Sequence, residues 1–219
     1  MPGIIVFLGP SLPPGEAAEI LPATFLPPAR RGDIPGAVDQ GARIIGLIDG
    51  VFFQECSVGH REILDAISRG VRVVGASSMG ALRAAELDTL GMEGVGVVYG
   101  LYRDGTLVSD DEVALVFDPE TGIALSEPLI NIRCTISKAE KKGIIDHDTA
   151  DRLISLAQSI YFPERTWDRI LGMAEGQIDP GTLLRFSEFA GNHPADQKRE
   201  DAIAALHRIR EIGEEMGLV

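Results

Sequence analysis

Gly70-Val71-Arg72-Val73-Val74-Gly75-Ala76-Ser77-Ser78-Met79-Gly80-Ala81-Leu82-Arg83-Ala84-Ala85-Glu86-Leu87 is the stretch on which the reading of the chain turns. Its β-branched run, Val71 to Val74, predicts a buried strand. The Ala-, Leu-, Arg- and Glu-rich part that follows Met79 predicts a helix. Ser77 and Ser78 therefore fall in a tight turn between strand and helix, where the first helical N–H groups lack partners and favour an anion. Ala76-Ser77-Ser78-Met79-Gly80 also has the small-x-Ser-x-Gly form of a nucleophile elbow, in which small neighbours let a strained backbone expose the hydroxyl. Two readings stand side by side: a reactive serine, or a serine N-cap with a glycine that allows close packing.

On the N-terminal side, Gly3 to Leu8 predicts a first strand, closed by Gly9-Pro10-Ser11 and followed by a short helix over Glu16 to Leu21. Phe25 to Arg30 is a Pro-rich connection, which puts Arg30-Arg31-Gly32-Asp33 in a loop. Asp33 there either caps the helix that ends near Gly41 or lines a site. Ala42 to Ile48 predicts the next strand, and Asp49-Gly50 follows it at once. An acid at that place is either a turn residue or a group at the carboxyl edge of a parallel sheet, where open α/β folds hold ligands. Ser57-Val58-Gly59-His60 then leads into a helix over His60 to Ser68, with Ile63, Leu64 and Ile67 as its apolar stripe. A histidine at a helix N-terminus is disfavoured as a cation, and neutral imidazole is the form that accepts a proton; an exposed histidine without a role is the other reading.

Alternating strands and helices predict a mostly parallel sheet with helices on both faces. Asp49, His60 and Ser78 each follow a strand or open the helix after one, so all three belong to one edge of that sheet. A Ser78 nucleophile, a His60 base and an Asp49 that orients it form an expected set, because such sets are recognised by geometry and not by chain order. Backbone N–H groups at Met79 and Gly80 would stabilise an oxyanion.

Beyond the elbow, Gly91 to Leu101 reads either as a fourth strand or as a glycine-punctuated connection. Val113 to Phe117 and Ile123 to Leu125 suggest a hairpin about Pro119-Glu120-Thr121-Gly122. The acids Asp110, Asp111 and Glu112 read as a solvated loop or as magnesium ligands, without a second ligand set of clear spacing. From Leu129 the pattern is helical: Leu129 to Lys142, Asp146 to Tyr161, Glu164 to Ala174, Pro180 to Phe189 and Ala195 to Met216. The expected organisation is an α/β core over 1–128 and a C-terminal helical subdomain over 129–219, packed on that core.

Composition narrows the function classes. The chain of 219 residues is long enough for a real core, and its formal net charge of −13 argues against nonspecific nucleic-acid binding. No apolar run approaches membrane-spanning length, and the start lacks the basic region and cleavage site of a signal peptide, so a cytoplasmic location is expected. Cys56 and Cys134 are too few for a disulfide scaffold or a four-thiolate metal site; no metal and no cofactor is called for. No P-loop or complete dinucleotide fingerprint supports nucleotide binding.

With these motifs assembled, the chain resembles the TfuA-like proteins. The resemblance rests on Phe7-Leu8-Gly9-Pro10-Ser11-Leu12, Arg31-Gly32-Asp33, Ile45-Gly46-Leu47-Ile48-Asp49-Gly50, His60-Arg61-Glu62-Ile63, the elbow block Gly75 to Leu87, Asp110 to Ala114, and Pro128-Leu129-Ile130-Asn131-Ile132-Arg133. It implies partnership with a YcaO enzyme, which uses ATP to activate a peptide backbone amide that sulfide then converts to a thioamide. Thioamidated natural-product peptides and the thioglycine of methyl-coenzyme M reductase are the settings it implies. It further implies a share in supplying sulfide, by hydrolysis of the C-terminal thiocarboxylate of a ThiS-like sulfur carrier, with the peptide substrate reached through YcaO. That chemistry needs an activated nucleophile and an oxyanion hole, which the elbow would supply through Ser78 with Ser77, Met79 and Gly80 around the anion. Arg31, Asp33, Arg83 and Glu86 are the expected substrate- or partner-binding residues, and Cys56 is an alternative nucleophile or persulfide carrier. A docking module that binds and activates YcaO without cleaving a bond is the competing reading.

Overall fold

The computed structural model describes residues 3–52, 56–118 and 121–219. The chain divides into two compact units, one of Met1–Asp110 with Lys198–Val219 and one of Asp111–Gln197. The first unit is built on a five-stranded sheet of β1 (Ile4–Phe7), β2 (Thr24–Leu26), β3 (Ile44–Leu47), β4 (Arg72–Ala76) and β5 (Glu93–Val95). The spatial order is β2-β1-β3-β4-β5 and every pairing is parallel, with Ile5 beside Ile45 and Ile45 beside Val73. All residues of β1 and β3 are buried, as expected when both faces of a parallel sheet are covered.

Successive side chains on these strands enter two different cores, because a strand alternates its faces. Ile5, Phe7, Ile45, Leu47 and Val73 pack with α2 (Asp33–Asp39), α3 (His60–Ser68) and Ala84 and Leu87 of α4 (Met79–Leu87). Ile4, Val6, Ile44, Val74 and Ala76 pack on the other face, with Ala17 of α1 (Pro14–Ile20). The open stretch over Gly91 to Leu101 resolves into β5 followed by α5 (Val97–Arg103). The start of the Pro-rich connection likewise belongs to the short edge strand β2, which is too brief to carry a period.

The second unit holds α6 (Leu129–Lys141), α7 (His147–Ser159), α8 (Trp167–Ala174) and α9 (Pro180–Asn192). Leu129, Ile132, Ile136, Leu153, Ile170, Phe186 and Phe189 form its core. Asp146, Thr166 and Asp179 cap α7, α8 and α9 by accepting from Thr149, Arg169 and Thr182 N–H groups. Arg165 is fully buried; its guanidinium donates to the carbonyls of Ala157 and Ile160, both at 3.0 Å, and to the Asp111 carboxylate. Glu112 accepts two bonds from Arg133 at 2.9 and 2.8 Å. The expected hairpin is reduced to one antiparallel bridge between Phe117 and Ala124, and Pro119 and Glu120 of its turn lie outside the described residues.

The last helix, α10 (Gln197–Glu215), was expected with the helical part and instead completes the sheet unit. Its Ala202, Ala205, Leu206, Ile209 and Ile212 share a core with Ile4, Val6, Ile44 and Val74. Full burial of Leu206, Ile209 and Ile212 contributes on the order of 5–9 kcal/mol before entropy is counted. Asp201 adds a polar lock: its carboxylate accepts from the N–H groups of Val97 at 3.0 Å and Val98 at 2.7 Å, capping α5 from outside. Among the described residues no helix is long and apolar enough to cross a membrane.

Candidate functional site

The strand order reverses between β1 and β3, and the segments that leave these two strands meet at the carboxyl edge of the sheet. Asp49, two residues past β3, is buried there. Its Oδ2 accepts from the N–H groups of Gly9 at 2.8 Å and Ser11 at 3.1 Å, and its Oδ1 accepts from the Ser11 hydroxyl at 2.7 Å. Ser11 Oγ in turn accepts from Ser77 Oγ at 2.9 Å. A buried chain of hydroxyls thus ties the end of β4 to the ends of β1 and β3. Ser11 is the member that sequence reasoning missed. Its signal was its place just after the first strand, which acquires meaning only once β1 is known to lie beside β3.

Ser77 has φ +66°, the one non-glycine residue with positive φ among the described residues. A left-handed backbone is costly for a residue with a Cβ, and persists where the surroundings hold it in place. Here the Ser77–Ser11–Asp49 chain holds it from one side, and the seating of α4 holds it from the other. A Cβ on Gly80 would lie 1.7 Å from the carbonyl oxygen of Leu47, and one on Gly75 would lie 2.2 Å from that of Gly80. The first turn of α4 therefore presses directly on the backbone of β3 and β4, which only glycine permits.

Ser78 occupies the N-cap position of α4, yet its side chain makes no capping bond. It has no hydrogen-bond partner among the described residues, although the residue is only 2% exposed. The bland reading of a serine cap is therefore not what this hydroxyl does. Of the two expected oxyanion donors, Gly80 N–H is engaged with the carbonyl of Ile48 at 3.3 Å. Met79 N–H has no acceptor among the described residues and stands at the positive end of α4 beside the Ser78 hydroxyl.

The expected relay from Asp49 through His60 to Ser78 is not assembled among the described residues. Asp49 spends its oxygens on Gly9 and Ser11, as given above. His60 Nε2 lies 2.7 Å from Glu86 Oε2, and the His60 side chain is half exposed. Glu86 also accepts from Arg83 Nη1 at 2.7 Å, while Arg83 Nε donates to the carbonyl of Val58 at 2.9 Å. His60, Glu86 and Arg83 thus form one hydrogen-bonded group that links α3 to α4.

The remaining candidates divide. Asp33 opens α2 and accepts from Arg30 N–H at 2.7 Å, a local turn bond. Arg31 N–H donates to the carbonyl of Cys56 at 2.8 Å, and Cys56 is an exposed free thiol. Glu62 joins this loop to α3 by accepting from Gly32 N–H at 2.7 Å and Gly59 N–H at 3.0 Å. Of the three acids read as a solvated loop or as magnesium ligands, two are ion-paired: Asp111 with Arg165 and Glu112 with Arg133. Among the described residues no group of three or more His, Cys, Asp or Glu side chains is placed to hold a metal ion.

Comparison with protein families matches residues 49–166 to the family described as TfuA-like protein, a span of more than half the chain. It begins at Asp49 and contains the elbow, His60, Arg83 and Glu86. No curated protein matches the chain.

Proposed function

Because the chain belongs to the TfuA-like protein family, whose general setting is partnership with YcaO enzymes in thioamidation, we propose that its accessory role is to supply sulfide by hydrolysing the thiocarboxylate of a ThiS-like sulfur carrier, with Ser78 as nucleophile. One observation carries this reading: at a strained strand–helix turn neither the Ser78 hydroxyl nor the adjacent Met79 N–H has a hydrogen-bond partner among the described residues.

The chemistry suits that arrangement. Ser78 Oγ attacks the acyl carbon and a C–O bond forms, while the former carbonyl oxygen takes negative charge next to Met79 N–H. A thiocarboxylate is already anionic, so its sulfur cannot leave unless it gains a proton. As the tetrahedral intermediate forms, charge builds on sulfur and makes it the acceptor for the serine proton. The C–S bond then breaks, HS⁻ departs, and water hydrolyses the acyl-serine to a carboxylate and restores the hydroxyl. The net reaction consumes water and converts RCOS⁻ into RCOO⁻ and HS⁻ with a proton to spare, which the medium takes. In this sequence the substrate serves as base, so no histidine bonded to Ser78 is required. Asp49 and Ser11 anchor the turn, and the peptide that receives the sulfide is reached through YcaO.

A second reading has its own support. The small exposure of Ser78 and the engagement of His60 by Glu86 suit a module that docks on YcaO and activates it without cleaving a bond. Sulfide release from a thiocarboxylated carrier, measured without YcaO, separates the two. The hydrolase reading expects release by the wild type and at least a hundredfold loss in a folded Ser78→Ala protein, the order that removal of an essential catalytic group produces. Equal release by both proteins overturns the Ser78 assignment, and no release by either transfers the weight to docking.

A further inference from the structure

A cleft of about 560 Å³ runs along α4, and its described lining residues all belong to the sheet unit. Its floor is Met79, Leu82, Arg83 and Glu86, at the i, i+3, i+4 and i+7 spacing of one helical face. Phe52 and Ser57 border one side, and Val108, Ser109 and Asp110 also line it. The floor rises from Met79 to Glu86 by about 10 Å, the length of roughly three extended residues. Met79, a lining residue, directly follows Ser78 in the chain, and neither the Ser78 hydroxyl nor the Met79 N–H has a hydrogen-bond partner among the described residues.

The lining defines what fits. Among the described lining residues one cation, Arg83, stands with two carboxylates, Glu86 and Asp110, so a phosphate or nucleotide with several charges is disfavoured. Apolar surface from Phe52, Met79, Leu82 and Val108 alternates with hydroxyl, carboxylate and guanidinium groups, the mixture that an extended peptide backbone requires. Arg83 is held in place through Nε and Nη1, and its Nη2 hydrogens have no acceptor among the described residues. They are available to a peptide carbonyl. A single negative charge finds its complement at the Met79 end, where α4 presents its positive pole without a side-chain cap.

We propose that this cleft seats the carboxyl-terminal segment of a peptide chain in extended form, with Arg83 bonding its backbone and its terminal carboxylate or thiocarboxylate lying against Met79 and Ser78. The proposal rests on the hydrolase reading for the identity of the acyl end and adds where, and by which residues, the tail is recognised.

The test reads binding without turnover. A labelled hexapeptide of alanine and glycine with a free terminal carboxylate, and the same peptide as a terminal amide, are titrated by fluorescence anisotropy against the full chain. The free acid is expected to bind at least about tenfold more tightly than the amide, the ratio set by one charge-assisted contact. Arg83→Gln is expected to weaken both peptides. Since Arg83 also holds Val58 and Glu86, Val108→Glu serves as the second variant: Val108 is 87% exposed, so the change leaves the core alone and puts a like charge at the rim. It should weaken the acid about three- to fivefold and leave the amide unchanged within about 1.5-fold. Equal binding of acid and amide, or indifference of the acid to Val108→Glu, overturns the proposal. A wild type that binds the acid selectively yet releases no sulfide supports the cleft and overturns the hydrolase reading alone.

Discussion

Replacement of Ser11 by alanine tests whether the buried hydroxyl chain holds the elbow. Ser11 Oγ donates to Asp49 at 2.7 Å and accepts from Ser77 at 2.9 Å, so one substitution removes two bonds. The bond to the charged oxygen is worth about 1.5–3 kcal/mol, and leaving the fully buried Ser77 hydroxyl without an acceptor costs about 1–3 kcal/mol. Asp49 keeps the N–H groups of Gly9 and Ser11, which moderates the first loss. A loss of about 2–4 kcal/mol follows, or a fall of roughly 4–16 °C in the calorimetric midpoint at about 2–4 °C per kcal/mol. Ser77→Ala removes only the donor and leaves the Ser11–Asp49 bond intact, so it costs about 1 kcal/mol. In the double variant no hydroxyl is orphaned, and the two losses should fall short of their sum by about 1–2 kcal/mol. Scanning calorimetry on the four proteins closes the cycle, with circular dichroism to confirm the fold. Additive losses within about 0.5 kcal/mol, or a Ser11→Ala midpoint unchanged within about 2 °C, would refute the claim that these hydroxyls act as one unit.

Two further outcomes follow from the packing and charge of the fold. Gly80→Ala places a Cβ 1.7 Å from the Leu47 carbonyl oxygen and should cost about 3 kcal/mol or more by chemical denaturation, whereas Gly100→Ala in α5 meets open space and should gain about 0.5–1 kcal/mol; equal effects would contradict the close seating of α4. Burial, reinforced by the nearby charge of Asp196, raises the Glu127 carboxyl above its ordinary 4.5. The folded state then binds more protons than the unfolded state between 4.5 and that raised value, so stability falls as pH rises through this window. Glu127→Gln should flatten that slope in denaturation midpoints measured across it, and an unchanged slope would remove Glu127 as its source.

Much of the sheet was legible because its strands carry β-branched runs bounded by glycine or acid: Gly3 to Leu8, Ala42 to Ile48 and Val71 to Val74 contain β1, β3 and most of β4. Three-residue β2 and β5 lacked enough length for any period, and α5 was hidden by its valines and by Gly100, which are poor helix formers. The candidate site divides in the same way. The elbow was readable from Gly75 to Gly80 as small residues around two serines, but the two have different tasks: Ser77 takes the strained backbone and is tied down, while the Ser78 hydroxyl has no partner among the described residues. Their one-residue difference depends on a backbone dihedral, which composition does not encode.

What the chain determined by itself was local: where strands, turns and helices begin, and that Asp49, His60 and Ser78 belong to one edge of a parallel sheet. Periodicity and end chemistry act over a few residues, and they suffice for that. Which groups on the edge touch was decided by tertiary structure alone. The reversal of strand order puts β1 beside β3 and delivers Asp49 to Ser11, while the packing of the sheet unit brings His60 of α3 to Glu86 of α4. The same holds for α10, whose amphipathic face is plain in the sequence but whose partner, the sheet begun at Ile4, lies almost the whole chain away. A hydrogen bond demands placement within a few tenths of an ångström, and that placement comes from how whole elements pack.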